Sequence, residues 1–435
     1  MARPNKTSFF LLMLIVMGSC IGSGIFITPA GVAAEIPNTA LLLGTWVLGG
    51  FIALSGALTY GELAGRFPAA GGVYAYLKEA YGPLAAFFFG WVVLMAVTSG
   101  AIAGLALGFS KFLAMIFPMD EIWQKAVAVV VIVACTAVNV GGLGIAKHTT
   151  GLVTTLKVLG IFGLIVAGLV LWQTPIDLDW TLPDWEGGWT SKILLGLVGV
   201  YWSYGGWHHL TYLSAEFPEA RKKLSLAMVV GVLGVMAAYV LANLAYLRVL
   251  SLETMASSGG VAASMMEQVV PNVGGKALAA LVCVSMLGSI LIFTMSAPRI
   301  YAAMAADGVF FPALAKLHPR YGTPALAIIS QSAWAVVLIF LWGTFNNLVD
   351  YVTYSEAVFL IMAAASVYIF RFKKSGNSDG FKVPGYPFTP LLYIILSTLF
   401  VLNGLLAKPM LMLSSSVLFI LGLVLFVIFR KQKVT

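Results

Sequence analysis

The chain has 435 residues, 60% hydrophobic and only 10% charged, whereas a soluble domain carries about 25% charged residues; a soluble enzyme or binding module is excluded. Apolar runs of about 20 residues, each enough to cross a ~30 Å hydrocarbon core, recur along the whole chain, so the expected fold class is an all-α polytopic membrane protein. The net charge of +8 comes from short basic clusters between these runs, the positive-inside pattern rather than a nucleic-acid surface.

Twelve spans are expected, at about 9–33, 39–65, 84–110, 124–144, 148–172, 191–215, 224–250, 276–304, 324–343, 346–371, 387–406 and 409–429. Pro29, Pro68, Pro83, Pro118, Pro218 and Pro324 punctuate their ends or near-ends. The first run, from Phe9, lacks a cleavage site and is followed at once by further spans, so it reads as a span rather than a signal peptide. With the N-terminus inside, 18 Lys and Arg residues, from Arg3 and Lys6 to Arg430, Lys431 and Lys433, fall on the cytoplasmic side. Only 6, among them Lys111, Lys276 and Lys408, fall outside. That imbalance predicts cytoplasmic N- and C-termini. The outer loop 173–190, with Asp177, Asp179, Asp184 and Glu186 and no base, agrees.

Span 1 is interrupted by Gly22-Ser23-Gly24-Ile25-Phe26. A break at mid-membrane frees backbone groups that lipid cannot satisfy, so it must be buried in protein or line a polar cavity. An unwound segment here leaves orphan N–H groups on Ser23, Gly24 and Ile25 at the positive end of a helix dipole. Together with Gly22 they form a candidate carboxylate site. The alternative is a small-residue packing face. Cys20 before the break, Cys135 in span 4 and Cys283 in span 8 read as buried thiols, and no disulfide framework is implied.

Span 5 carries Lys157, about nine residues or roughly 14 Å into the run. It is too deep to snorkel, and an intramembrane ionisable residue is functional by default. Three roles are open: a lysine bonded to carbonyls as helix glue, a fixed ammonium where another transporter would hold Na⁺, or a proton carrier whose neutral form burial favours.

Span 6 is interrupted at Trp202-Ser203-Tyr204-Gly205-Gly206-Trp207. Carbonyls around Trp202, Ser203 and Gly205, at a negative dipole end, suit an ammonium group. N–H groups facing carbonyls are complementary to a zwitterion, and the minimal ligand is an α-amino acid. Trp202 and Tyr204 add bulk as gate or pocket residues, with Cys20 across from them, and Trp202 could trap a small ligand. No Asp or Glu lies deep in spans 1, 3, 6 or 8, so a neutral substrate is expected. His208 and His209 are adjacent and should point apart on a helix, so no metal site is expected, nor any cofactor. Tyr239 in span 7 and Ser289 in span 8 are candidate partners of Lys157.

Spans 1 and 6 each open a group of five, and an odd number inverts the second group. The chain thus reads as one transporter domain, 1–435, with a first inverted repeat at 9–172 (helices 1–5), a second at 191–371 (helices 6–10), and helices 11–12 at 387–429 outside the repeat for packing or oligomer contact. Paired breaks in such a five-plus-five plan mark a transporter's substrate site, with transport by alternating access. A proton-coupled symporter using Lys157 is an alternative. A non-transporting sensor is disfavoured by the short tail after Phe429. No nucleophile–base constellation suggests an enzyme.

The chain resembles the amino acid–polyamine–organocation superfamily, and within it the L-type amino-acid transporter family, particularly its bacterial members. The matching motifs are Ile21-Gly22-Ser23-Gly24-Ile25-Phe26, Tyr60-Gly61-Glu62-Leu63 running on to Phe67-Pro68-Ala69-Ala70-Gly71-Gly72-Val73-Tyr74, Tyr204-Gly205-Gly206-Trp207 and Val383-Pro384-Gly385-Tyr386-Pro387. The resemblance implies a leucine-transporter-like fold and obligatory exchange or facilitated transport of neutral L-amino acids, usually without sodium; the expected function is sodium-independent exchange of small neutral L-amino acids such as alanine, serine or cysteine. It implies that the Gly22-Ser23-Gly24 segment grips the carboxylate, that Lys157 replaces a sodium ion and that Tyr239 links this lysine to the substrate region. The chain departs from the family at His208, often Asn, at Ala306-Asp307-Gly308, usually Arg-Asp-Gly, and at Gly288-Ser289-Ile290-Leu291, which lacks the common Asn-Gly pair. Loop 111–123 has no cysteine for a disulfide-linked heavy chain. The expected partners are therefore amino acids and the lipid bilayer of the cell (inner) membrane, with no nucleic acid, for a monomer or weak homodimer.

Overall fold

Every regular element among the described residues is a helix. The computed structural model describes residues 8–67, 71–172, 175–176, 178–181, 188–217, 221–341, 345–377, 380–407 and 419–429. Arg3, Lys6, Pro68, Asp177, Asp184, Glu186, Pro218, Lys408, Arg430, Lys431, Lys433 and the start of the twelfth expected span lie outside them.

The chain opens with α1 (Phe9–Cys20), α2 (Gly24–Glu35) and α3 (Thr39–Arg66). After α4 (Val73–Tyr81), α5 (Pro83–Val92) passes through a π turn, Val93–Val97, into α6 (Thr98–Ile116). Then come α7 (Glu121–Val140) and α8 (Leu143–Val166), the latter extended by a π turn at Ala167–Leu171. Next are α9 (Gly188–Tyr204), the short α10 (His209–Tyr212), α11 (Arg221–Val249), α12 (Leu252–Ser257) and α13 (Val261–Val269). Helix α14 (Gly274–Ser296) is followed by α15 (Pro298–Ala306), α16 (Ala325–Leu341), α17 (Phe345–Lys373), α18 (Phe388–Ala407) and α19 (Phe419–Phe429).

Among the described residues, eight helical runs are long and apolar enough to cross a membrane, nine if the bent pair α1–α2 is one span. Helices α16 and α19 are apolar but shorter, and α9 has 17 residues before the chain leaves the helix. Lipid-facing surface is visible as exposed apolar side chains: Val130 and Val133 on α7, Leu159 and Phe162 on α8, Leu402 and Leu406 on α18.

Local chemistry explains the helix starts. Asn38 accepts the Leu41 N–H at 2.9 Å to cap α3, and Asp120 accepts that of Trp123 at 3.0 Å to cap α7. Pro83 and Pro298 sit in the first turns of α5 and α15, where no N–H is needed. Pro29 differs from expectation, for it lies inside α2 rather than near a span end. Its missing N–H would have bonded the Ile25 carbonyl, and the Tyr246 hydroxyl of α11 donates there instead at 3.1 Å. Outside the spans, the Thr181 hydroxyl and N–H both donate to Asp179 and hold its carboxyl below the usual range.

Packing brings the two expected breaks together. Helix α2 lies on α9 and α1 touches α10, while α11 packs along both α1 and α3. Helices α8 and α14 close against α1, and α14 runs along α6. At one end of the bundle the family motifs meet. The Glu62 carboxylate, 1% exposed, accepts from Arg66 at 2.9 Å, from Arg371 at 2.9 and 2.6 Å and from the Val383 N–H at 2.8 Å. Asp307 takes the Lys78 ammonium and the Tyr74 hydroxyl, each at 2.7 Å. Burial, and then this bond to Asp307, pushes the Tyr74 hydroxyl up, so it stays a donor.

Candidate functional site

Helices α1 and α2 meet at 41° across Ile21-Gly22-Ser23. In an unbroken helix the carbonyls of Gly18 to Gly22 would accept from residues four further on. Here other groups replace most of those donors. The Gly22 N–H donates to Cys20 O at 2.9 Å. Ser285 of α14 donates to the carbonyls of Ile21 and Gly22, at 3.1 and 3.0 Å. Among the described residues no hydrogen bond reaches the Ser19 carbonyl, and the N–H groups of Ser23, Gly24 and Ile25 find no acceptor. The Ser23 hydroxyl is likewise buried and unpartnered. Three orphan N–H groups and a free hydroxyl thus gather at the first turn of the 12-residue α2.

Lys157 comes from α8 and is fully buried. Its ammonium donates to Ile21 O at 2.7 Å, Gly18 O at 2.8 Å and Ser289 Oγ at 2.9 Å. Three donors meet three acceptors, which satisfies a buried ammonium without any acid. Gly288 leaves room for it, since a Cβ there would stand 2.6 Å from Lys157 Cε.

At the second break α9 ends at Tyr204, and Gly205–His208 form turns before α10. Gly206 has φ +102°, and a Cβ there would stand 2.7 Å from the Ser19 carbonyl oxygen. A Cβ on Gly24 would stand 2.6 Å from Ser203 Cα. Both glycines therefore permit the close approach of one break to the other. The Tyr239 hydroxyl lies between them, 2.9 Å from Cys20 O and 3.0 Å from Ser203 O.

A cavity of about 50 Å³ sits between the breaks, the room of a few waters. Cys20, Gly22, Ser23, Gly24, Trp202, Gly205 and Ser289 line it, together with Ser19, Tyr201 and Gly206. Five expected site residues do not. Ile25 turns its carbonyl to Tyr246. Lys157 and Tyr239 stand behind the wall and act on it through the carbonyls they bind. Ser203 points away: its hydroxyl donates to Gly199 O at 2.7 Å and pairs with Thr28 at 2.8 Å. Its carbonyl, expected to be orphaned, is taken by Tyr239. Tyr204, expected as a gate, also lies elsewhere. It is 3% exposed, bonds Trp46 O at 3.1 Å and packs on Trp46 and Tyr239, because the last turn of α9 aims it at α3.

Sequence reasoning missed Glu356. It reaches the cavity wall from α17, a helix left out of the search for deep acids. Its Oε1 stands 3.0 Å from His208 Nε2, in ion-pair range though off the line of a hydrogen bond. Nor do His208 and His209 point apart. The chain there is in a turn entering α10, and their ring centroids are 4.9 Å apart. Beyond Thr28 and Gly199 a wider cavity of about 1440 Å³, lined also by Gly31, Glu35, Lys111 and Lys276, opens at one end of the bundle.

Residues 8–429 match the family model for amino acid permease. The chain is 29% identical to the serine/threonine exchanger SteT of Bacillus subtilis (strain 168), over 99% of this chain and 98% of that one. It is 28% identical to the human b(0,+)-type amino acid transporter 1, over 96% and 86% of the two chains. The human large neutral amino acids transporter small subunit 2 is 27% identical over 91% and 75%. A broken-helix cavity, a polytopic helical bundle and a match over nearly the whole chain agree: this protein is a permease rather than an enzyme, and it belongs to the amino acid permease family, in the amino acid–polyamine–organocation superfamily alongside the L-type transporters.

Proposed function

We propose that the chain is a sodium-independent exchanger of small neutral L-amino acids, working by alternating access. The observation that carries this is the pairing of opposite polarities across one small cavity. The N–H groups of Ser23 and Gly24, with the Ser23 hydroxyl, offer donors to a carboxylate. The Ser19 and Gly205 carbonyls offer acceptors to an ammonium, while the Trp202 carbonyl, expected to be orphaned, already takes the Gly205 N–H at 3.1 Å. The cavity is small, which favours small amino acids such as alanine, serine or cysteine. Exchange is also what the name of SteT states for that relative.

Sodium independence follows from Lys157. Its ammonium already occupies the carbonyl cluster at Gly18 and Ile21 where a cation would sit. The larger frame belongs to this proposal too: twelve spans, the five-plus-five inverted repeat, cytoplasmic termini in the cell membrane, and a monomer or weak homodimer.

Counterflow in proteoliposomes tests the reading. Labelled alanine or serine should accumulate transiently against unlabelled internal amino acid, equally in Na⁺ and in choline. Flux that needs Na⁺, or a pH gradient that drives net accumulation, would replace exchange with symport.

A further inference from the structure

Glu356 stands in the wall of the same cavity as Ser23 and Gly24, and the zwitterion site proposed above leaves it unassigned. Glu356 keeps 14% of its side chain uncovered, lines the cavity, and has His208 behind it at 3.0 Å. His208 is fully buried, and neither of its ring nitrogens makes a hydrogen bond. His209 Nδ1 is held by Ser296 Oγ at 2.6 Å, which fixes the ring beside the pair. The ligating atoms of His208, His209 and Glu356 all lie within 4.8 Å of one another.

We propose that Glu356, backed by His208, is the specificity-determining acceptor for the substrate side chain, and that it selects small amino acids bearing a hydroxyl; this rests on the amino-acid exchange proposed above. A carboxyl group presents its oxygens as hydrogen-bond acceptors. A methyl or ethyl side chain placed against it strips water from the carboxylate and returns nothing. A hydroxyl restores the bond, and a site built to hydrogen-bond a hydroxyl rejects the analogue that lacks it, because its buried polar group is then left unpaired. A thiol is a weaker donor, which puts cysteine behind serine. The small cavity disfavours long side chains of either sign. The preference thus divides the alanine, serine and cysteine group that size alone would admit.

The test uses near-isosteric pairs on the purified full chain in proteoliposomes: serine against 2-aminobutyrate, and threonine against valine, each competing with labelled alanine counterflow. The hydroxylated member should compete better by about tenfold or more. Glu356→Met should bring both ratios close to one, and Glu356→Gln, which keeps an acceptor of the same shape, should fall between. Equal competition by the wild-type chain, or ratios unchanged in Glu356→Met, would overturn the assignment. Where a variant loses flux, ligand-induced tryptophan fluorescence of the solubilised protein reads the same ratios. Absent counterflow with ordered binding ratios would sink the exchanger reading while leaving this one standing; ordered flux without the Glu356 dependence would do the reverse.

Discussion

At the scale of single residues, Lys157 carries the most consequence. Its three protons meet two carbonyls freed by the break and one serine hydroxyl, so it holds the unwound segment of α1 against α14. Methionine at 157 would keep much of the bulk and remove all three donors. The Gly18 carbonyl would keep the Ser289 hydroxyl at 3.1 Å and the Ile21 carbonyl the Ser285 hydroxyl at 3.1 Å; the lost bonds to a charged group are worth about 1.5–3 kcal/mol each, and losing them loosens the turn that presents the Ser23 and Gly24 N–H groups. Lys157→Met is expected to cut exchange by at least about tenfold and to lower the thermal midpoint in detergent. Ser289→Ala should have a milder effect of the same sign, because Lys157 keeps its two carbonyls. Full exchange by Lys157→Met would show that the break holds its shape without the ammonium.

At the scale of elements, the packing of α2 on α9 depends on what is absent from Gly24. A Cβ there would meet Ser203 Cα at 2.6 Å, whereas a Cβ on Gly31, two turns along the same helix, meets nothing within 4 Å. Backbone cannot swing aside as a flexible side chain can, so Gly24→Ala must push the two helices apart at the cavity. Gly24→Ala should abolish exchange, and Gly31→Ala should leave it within about twofold of the parent while adding helix propensity; both are read as initial exchange rates. The breaks themselves were legible in the sequence because glycine runs inside apolar stretches are local signals. Lys157 was legible for the same reason, as a lone charge in a span. Side-chain direction was not, because it depends on where a helix stops. The end of α9 turns Tyr204 toward Trp46 and Ser203 toward Thr28, and the turn into α10 sets two adjacent histidine rings side by side. Glu356 was missed for another reason: its partner His208 lies far away in sequence, and only the packing of α17 brings them together.

At the scale of the molecule, the two cavities differ in size and place. The small one lies between the breaks, while the one of about 1440 Å³ opens where Glu35, Lys111 and Lys276 gather. In the orientation proposed above these residues lie on the outer side, so the wide cavity is expected to be the outer vestibule; Thr28, which lines it, pairs with the Ser203 hydroxyl at 2.8 Å. Alternating access requires this vestibule to close whenever the opposite side opens. Gly31 lines it with open space around its Cα, and Cys20, Cys135 and Cys283 are all buried. A thiol introduced as Gly31→Cys should therefore react with a membrane-impermeant maleimide added to intact cells, over little background from the native cysteines. Exchanged amino acid, by cycling the molecule through states with the vestibule shut, should slow that labelling. Reaction only from the cytoplasmic face, in inverted vesicles, would reverse the orientation. A labelling rate indifferent to substrate would mean that the vestibule does not close during transport.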